Sequence, residues 1–145
     1  MKRAWGITLL AAAGVGVFLL PQGVRAQACK DDVAMLEASK QDLVELTATV
    51  KKQNLAEFEQ TNQQKRAVNK LRVHTGMLQE LVNCLDKAAQ DTAASKADAD
   101  AAKAQHDAAA KLLEKLQHQA NEIRDAKESK AAKALIEKLE FTSPE

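Results

Sequence analysis

The sequence predicts an all-α protein, either an elongated antiparallel helical hairpin or a three-helix bundle with coiled-coil packing. From residue 27 onward the chain contains one glycine, Gly76, and one proline, Pro144. Ala, Leu, Glu, Gln and Lys dominate the same region, and these residues are the strongest helix formers. Apolar residues recur at helical spacing, and runs of β-branched residues are missing, so no strand is expected. Disorder is the competing prediction, because the Ala-, Lys- and Asp-rich middle of the chain has little to bury.

The first 26 residues are predicted to be a secretory signal peptide. Lys2 and Arg3 precede an apolar run over residues 7–20, and the residues that follow suit cleavage after Ala26 or Ala28. An uncleaved membrane anchor is the alternative. The run of about 14 residues is shorter than the ~20 that a membrane-spanning helix requires, so cleavage is favoured.

Cleavage divides the chain into the signal peptide, residues 1–26, one helical or coiled-coil domain, residues 27–140, and a frayed tail, residues 141–145. The mature protein is expected to be periplasmic or secreted, with membrane contact only transiently through the signal peptide. In an oxidising compartment Cys29 and Cys84, the only cysteines, are expected to form a disulfide. Lipidation of Cys29 is disfavoured, because an alanine stands three residues before it where an aliphatic residue is needed.

The composition of the mature chain argues against several classes of function. It carries 18 basic and 20 acidic residues, so no basic patch for nucleic acid is expected. Its only aromatic residues are Phe58 and Phe141, whereas base stacking and carbohydrate platforms need aromatic faces. No G-x-S-x-G, Gly-rich phosphate loop or H-E-x-x-H motif occurs. We therefore predict no enzyme, no nucleic-acid partner and no small-molecule substrate.

The first predicted helix begins at Asp31 and Asp32, since acidic residues complement the helix dipole at an N-terminus. Its apolar stripe consists of Leu36, Leu43, Leu46 and Val50. The following segment, residues 59–66, has no apolar residue. Thr61 and Gln64 have capping-box spacing, which predicts that a new helix begins there.

The second predicted helix carries the strongest apolar stripe of the chain. The members recur at spacings of three and four residues, as Val68, Leu71, Thr75, Leu78, Val82 and Leu85. His74, Met77, Leu81 and Cys84 lie beside them, so this wide face is expected to be buried against more than one neighbour. Gly76 lies within the face and either permits a close helix contact or is incidental.

Small residues replace large ones in the third predicted helix. Asp91, Thr92 or Ser95 is expected to cap this helix, and Ser95 with Asp98 has capping-box spacing. A seam that allows close approach of two helices is formed by Ala93, Ala97, Ala101, Ala104 and Ala108. The stripe continues through Leu112, Leu113, Leu116, Ala120 and Ile123 and, after a polar interval, Leu135, Ile136 and Leu139. An unbroken helix of ~65 Å would overhang its partners, and a kink near Ser129 is the alternative.

The two cysteines favour a hairpin. A single straight helix would hold Cys29 and Cys84 roughly 80 Å apart, whereas a disulfide needs Cα atoms within about 4.4–6.8 Å. If the chain turns near Thr61, arms of ~45 Å and ~36 Å bring both cysteines to the same end. We therefore predict a disulfide-stapled hairpin with a third helix packed along it. The alternative is a two-helix hairpin that turns near residues 91–95.

The histidines and methionines do not form a metal or haem motif. His74 lies next to the packed stripe and is interpreted as a partly buried structural residue. His106 and His118 are twelve residues apart, too far to share one metal on a single helix. Met35, Met77 and the histidines supply haem-ligand types, but C-x-x-C-H is absent. No metal and no cofactor are therefore expected, and a haem- or metal-binding bundle is a lesser alternative.

We predict an exported, non-enzymatic helical interaction or structural module of the cell envelope that acts by coiled-coil association. Its partner is expected to be itself or another helical envelope protein, because so lean a chain buries little core alone. The predicted interaction stripe consists of Val68, Leu71, Leu78, Val82, Leu85, Ala97, Ala101, Ala104 and Ala108. The alternative is a periplasmic holdase-type chaperone for unfolded clients, which requires an exposed apolar patch.

Overall fold

The computed structural model describes residues 29–141, which form five helices and contain no strand. The helices are α1 (Lys30–Lys52), α2 (Leu55–Gln60), α3 (Gln63–Gln90), α4 (Lys96–Asp125) and α5 (Ser129–Glu137). The predicted all-α class is confirmed. The predicted signal peptide, residues 1–26, and residues 142–145 of the predicted tail lie outside the described residues. Phe141, the first residue of that tail, is half-buried against the core.

The charges at both ends of α1 explain where the helix forms. Asp31 and Asp32 lie in its first turn, and Lys51 and Lys52 lie in its last turn. Each pair complements the partial charge that the helix dipole places at that end. The buried residues of the inner face are Ser39, Leu43, Leu46, Thr47 and Val50. This face includes three members of the predicted apolar stripe, and the fourth, Leu36, is half-buried.

The chain reverses after α1 through the short helix α2, and the predicted capping box of Thr61 and Gln64 does not form. The capping box lies at the start of α2 instead, where Asn54 Oδ1 accepts a hydrogen bond from Glu57 N (3.0 Å) and Glu57 Oε2 accepts one from Asn54 N (3.1 Å). Thr61 donates its hydroxyl to the backbone oxygen of Glu57 and so lies at the end of α2. Asn62 then takes the left-handed conformation, at φ 52°, which Asn tolerates better than most residues.

The central helix is α3, which packs against α1 and, along most of its length, against α4. Both reversals considered from the sequence therefore occur, one between α1 and α3 and one at residues 91–95. The predicted cap of α4 is confirmed, because Ser95 Oγ accepts a hydrogen bond from Asp98 N (3.2 Å) and donates one to Asp98 Oδ2 (2.6 Å). Helices α1 and α4 thus both run antiparallel to α3 and flank it, and the disulfide lies at one end of the molecule.

The predicted overhang of the third helix is wrong, because α4 ends at Asp125 and α5 folds back onto the body of the molecule. The chain breaks close to the alternative position, Ser129, and α5 packs against each of the other four helices. Gln64 Nε2 donates to the backbone oxygens of Ile123 (2.7 Å) and Ala126 (2.9 Å), which satisfies carbonyls that the helix end leaves unpaired. The fold-back buries Ile136 completely, whereas an overhanging helix would leave it in water.

Candidate functional site

The predicted disulfide between Cys29 and Cys84 is present, and it defines one end of the molecule. The two Cα atoms lie 5.9 Å apart although the residues are 55 positions apart in sequence. Cys29 is the N-cap residue of α1 and is 3% exposed, and its backbone oxygen accepts a hydrogen bond from Val33 N (3.0 Å). The sulfur of Cys29 is therefore occupied and buried, and a thioether lipid on the same atom would exclude the bridge.

A nearly constant register holds α1 against α3 beyond the disulfide. Ten residues along α1 from Cys29, Ser39 Oγ lies 2.6 Å from Nδ1 of His74, which is ten residues back along α3 from Cys84. Further along the same seam, Lys70 Nζ lies 3.4 Å from a carboxylate oxygen of Asp42. A covalent link, a buried hydrogen bond and an exposed ion pair thus all fit one antiparallel alignment.

The hydrogen bond between Ser39 and His74 is part of a small buried network. His74 is 1% exposed and Ser39 is 6% exposed. Ser39 Oγ also lies 2.8 Å from the backbone oxygen of Leu36, to which only the hydroxyl can donate. Because a hydroxyl has one proton, both contacts are satisfied together when Ser39 donates to Leu36 and the Nδ1–H group of His74 donates to Ser39.

The surroundings of His74 keep its imidazole neutral. Burial and, to a smaller extent, the positive charge of Lys40 together lower its pKa to about 4, and Glu37 opposes both effects. At neutral pH the ring is therefore an uncharged member of the core. This agrees with the interpretation of His74 as a structural residue.

The other two histidines lie apart from this network. His106 Nδ1 lies 3.1 Å from a carboxylate oxygen of Asp107, and His118 Nδ1 lies 3.3 Å from one of Glu122. Each histidine therefore has one local carboxylate neighbour on α4. Of the methionines that the haem alternative uses, Met35 is 53% exposed, and Met77 is half-buried.

One cluster of metal-ligand types, which the sequence analysis missed, lies at the disulfide. Within residues 29–141 it is the group in which Sγ of Cys29, Sγ of Cys84 and a carboxylate oxygen of Asp32 all lie within 4.8 Å of one another. Asp32 follows Cys29 by three residues on α1, a spacing that places both side chains on the same side of the helix start. That three-residue spacing is the signal in the sequence from which the cluster could be predicted.

The large members of the predicted interaction stripe are packed into the molecule's own core. Leu71, Leu78, Val82 and Leu85 are buried, and Val68 is half-buried. They face the other helices of the same chain, since α3 is the central helix. A partner therefore meets these side chains only if the fold opens.

The alanine members of the stripe lie elsewhere. Ala97 and Ala104 are exposed, and Ala101 and Ala108 are half-buried. The alanines that α4 buries are Ala102 and Ala109. The leucines of α4 explain this. Leu113 follows Ala109 by four residues and Leu116 follows Leu113 by three, so burial of these leucines decides which alanines face inward. We call Ala97, Ala101, Ala104 and Ala108 the alanine face.

Four large apolar side chains of the described residues have high exposure. They are Met35 (53% exposed), Val44 (42%), Leu55 (41%) and Val73 (55%). These residues belong to α1, α2 and α3, so α4 and α5 expose none of comparable size. Among the described residues, no helix combines the length and apolar character needed to span a membrane.

The comparisons with known proteins give no relative for this chain. No protein-family model matches it, and no curated protein or solved structure matches it significantly.

Proposed function

We propose that this protein is an exported, non-enzymatic helical module of the cell envelope that associates through a helix face with a second copy of itself or with another helical protein. The observation that carries the proposal is the alanine face of α4, which the fold leaves outside the core. Apolar residues placed on one face of a long surface helix and left unburied within the chain are available to a partner helix.

The small size of these side chains suits helix association. An alanine face lets two backbones approach closely, although each residue buries little area. Association through it would therefore be weak for each turn and would depend on several turns acting together. The alanine face spans residues 97–108, about three helical turns.

The disulfide supports export. Disulfides persist in oxidising compartments such as the periplasm and the extracellular space, and Cys29–Cys84 joins the two ends of a long loop. We therefore place the mature protein in the periplasm or outside the cell, in agreement with the signal peptide that the sequence predicts.

The holdase alternative has less support. A chaperone for unfolded clients needs a contiguous exposed apolar surface. Among the described residues only four large apolar side chains have high exposure, which offers little surface of this kind. Suppression of aggregation of a denatured client by an equimolar amount of the protein would favour the chaperone function over the proposed one.

The experiment is sedimentation across the micromolar range of protein purified from the exporting host. We expect concentration-dependent association of the wild type and its loss in the double variant Ala97→Glu, Ala104→Glu, because glutamates would put like charges on both partners. Both alanines are exposed, so the fold should tolerate the change. The matched control is Ala131→Glu, Ala134→Glu, which alters two exposed alanines of α5.

Circular dichroism of each variant checks that helicity is unchanged. A wild type that sediments as a monomer at every concentration would contradict self-association. In that case immobilised protein, compared with the immobilised Ala97→Glu, Ala104→Glu variant, tests for a different helical partner. Equal association of all three forms in sedimentation would show that the alanine face is not the contact.

A further inference from the structure

The disulfide end of the molecule holds three side chains whose chemistry suits a soft divalent metal. Sγ of Cys29, Sγ of Cys84 and a carboxylate oxygen of Asp32 lie mutually within 4.8 Å. Zn²⁺ accepts thiolate and carboxylate ligands at about 2.0–2.3 Å, most often in tetrahedral sites. In the bridged form both sulfurs are bonded to each other, so the oxidised cluster offers only one anionic ligand.

We propose that reduction of the Cys29–Cys84 disulfide converts this cluster into a Zn²⁺ site, with the two thiolates and the Asp32 carboxylate as ligands and water in the fourth position. The proposal is independent of the association through the alanine face. It assigns the cysteine pair two alternative states, one covalent and one metal-bridged.

The chemistry is balanced when a dithiol serves as the reductant. Two-electron thiol–disulfide exchange breaks the protein S–S bond, forms a disulfide within the dithiol and leaves two protein thiols. Binding of Zn²⁺ then displaces both thiol protons to solvent, and the ligands are two thiolates and one carboxylate. The resulting site has one excess negative charge.

The scaffold keeps the two thiols close after the bridge opens. The same α1–α3 register is held by the buried hydrogen bond of Ser39 with His74 and by the ion pair of Asp42 with Lys70. Leu43 and Val50 of α1 are completely buried, so apolar contacts also hold α1 in the fold. Reduction therefore removes one link out of several.

The required movement is small. Two sulfurs on one tetrahedral zinc are roughly 3.8 Å apart, given Zn–S bonds of about 2.3 Å. The two Cα atoms already lie 5.9 Å apart, so side-chain rotation can separate the sulfurs while the backbone stays in place. Cys29 is also the N-cap of α1, where the helix dipole favours a thiolate.

The first test compares oxidised and dithiol-reduced full-length mature protein by titration with Co²⁺ and then Zn²⁺, after removal of the reductant under nitrogen. We expect the reduced protein to bind one Co²⁺ with a thiolate-to-cobalt charge-transfer band that Zn²⁺ abolishes, and the oxidised protein to show no band. Reduced protein without the band would overturn the proposal, as would an equal affinity of the two forms for Zn²⁺.

The second test uses neighbouring aspartates. Loss of a residue that only orients a metal ligand typically lowers metal affinity by about tenfold or more. Replacement of a direct ligand should cost at least as much, so we expect Asp32→Asn to weaken Zn²⁺ binding by about tenfold or more. The control is Asp31→Asn, which removes the same charge from the same helix turn at an exposed position. Equal affinities of the two variants would show that Asp32 is not a ligand.

A third measurement covers the case in which the reduced protein loses structure. Zn²⁺ that binds the folded site stabilises it, so Zn²⁺ should raise the urea midpoint or restore helicity of the reduced protein. The same addition should leave the double variant Cys29→Ala, Cys84→Ala unchanged. Absence of any Zn²⁺ effect on the reduced wild type would overturn the proposal even if that protein is partly unfolded.

Discussion

At the scale of single residues, His74 shows how a polar side chain is accommodated in a core of leucines and alanines. Its ring is 1% exposed, and its Nδ1 atom has Ser39 as a partner at 2.6 Å. Burial penalises the imidazolium, and Lys40 adds repulsion, so the pKa falls to about 4. The hydrogen bond satisfies Nδ1 of the neutral ring, and protonation would place a charge in the buried core. This residue therefore couples folding to pH.

We expect the stability of the protein to fall as the pH drops from 6.5 toward 4, since the unfolded histidine binds a proton in that window and the folded one does not. Above pH 6.5 both states are neutral, so the contribution is fully present. The total loss is about 3 kcal/mol. Urea unfolding of wild type and His74→Gln over this window measures it, and the variant should show a flatter profile.

The matched control for that comparison is His118→Gln, since the His118 side chain is 73% exposed. It should retain the wild-type dependence on pH. Carboxylates contribute to acid unfolding in all three proteins, so the difference between profiles is the informative quantity. Identical profiles for wild type and His74→Gln would contradict the buried, neutral state of His74.

Gly76 is the second residue whose role the structure decides. It lies in the interior of α3, and a Cβ atom added there would meet no atom within 4 Å. A close helix contact, one of the two interpretations of the sequence, is therefore wrong for the folded chain. The remaining effect of Gly76 is that it lowers the stability of the helix, because glycine loses more conformational entropy on folding than alanine does.

Gly76→Ala should therefore raise the free energy of unfolding by about 1 kcal/mol. Thermal and urea unfolding measure the change. Ala48→Gly is the reverse control, since Ala48 is an exposed residue inside α1 and its replacement should cost a similar amount. A destabilised Gly76→Ala variant would contradict the open space that surrounds this position.

At the scale of elements, the helix ends show which sequence signals are sufficient. Of the three cap candidates Asp91, Thr92 and Ser95, the cap is Ser95, because its signal with Asp98 is complete within four residues. The same spacing at Thr61 and Gln64 misled, since Asn54 and Glu57 form a capping box one short helix earlier. Two equivalent local signals compete in that turn, and the burial of Phe58 in α2 favours the earlier one.

The cap at Ser95 can be tested within its own loop. Ser95→Ala should reduce the free energy of unfolding by about 1 kcal/mol, because the Asp98 N–H group loses its acceptor. Thr92→Ala is the control, since Thr92 is exposed in the same loop and lies outside the cap. Chemical denaturation of both variants gives the comparison, and equal losses would argue against a specific cap.

At the scale of the whole molecule, the disulfide and the central position of α3 could be predicted from the sequence, whereas the details of packing could not. Chain geometry alone required a reversal between Cys29 and Cys84. The return of α5 depended on Ile136 finding a buried site built from other helices. The inward alanines of α4, Ala102 and Ala109, followed the packing of leucines rather than their own pattern. Tertiary contacts of this kind carry no local signal.

Removal of the disulfide tests its contribution to the whole fold. The double variant Cys29→Ala, Cys84→Ala should lose about 4 kcal/mol of unfolding free energy, because the bridge closes a loop of 55 residues in the unfolded chain. Denaturant unfolding measures the loss, and far-ultraviolet circular dichroism should show little change in helicity. A variant as stable as the wild type would show that the unfolded chain is already compact near this loop.

The docking of α5 against all the other helices has a consequence for the order in which the molecule assembles. The helices of the pairs α1–α3 and α3–α4 are close in sequence and can pack starting from the turns that connect them. The surface on which α5 packs exists only once both pairs have formed. Helix α5 is thus expected to dock last during folding and to detach first when the structure opens locally. Native-state hydrogen exchange should therefore show a lower free energy of opening for the amides of α5 than for those of α3.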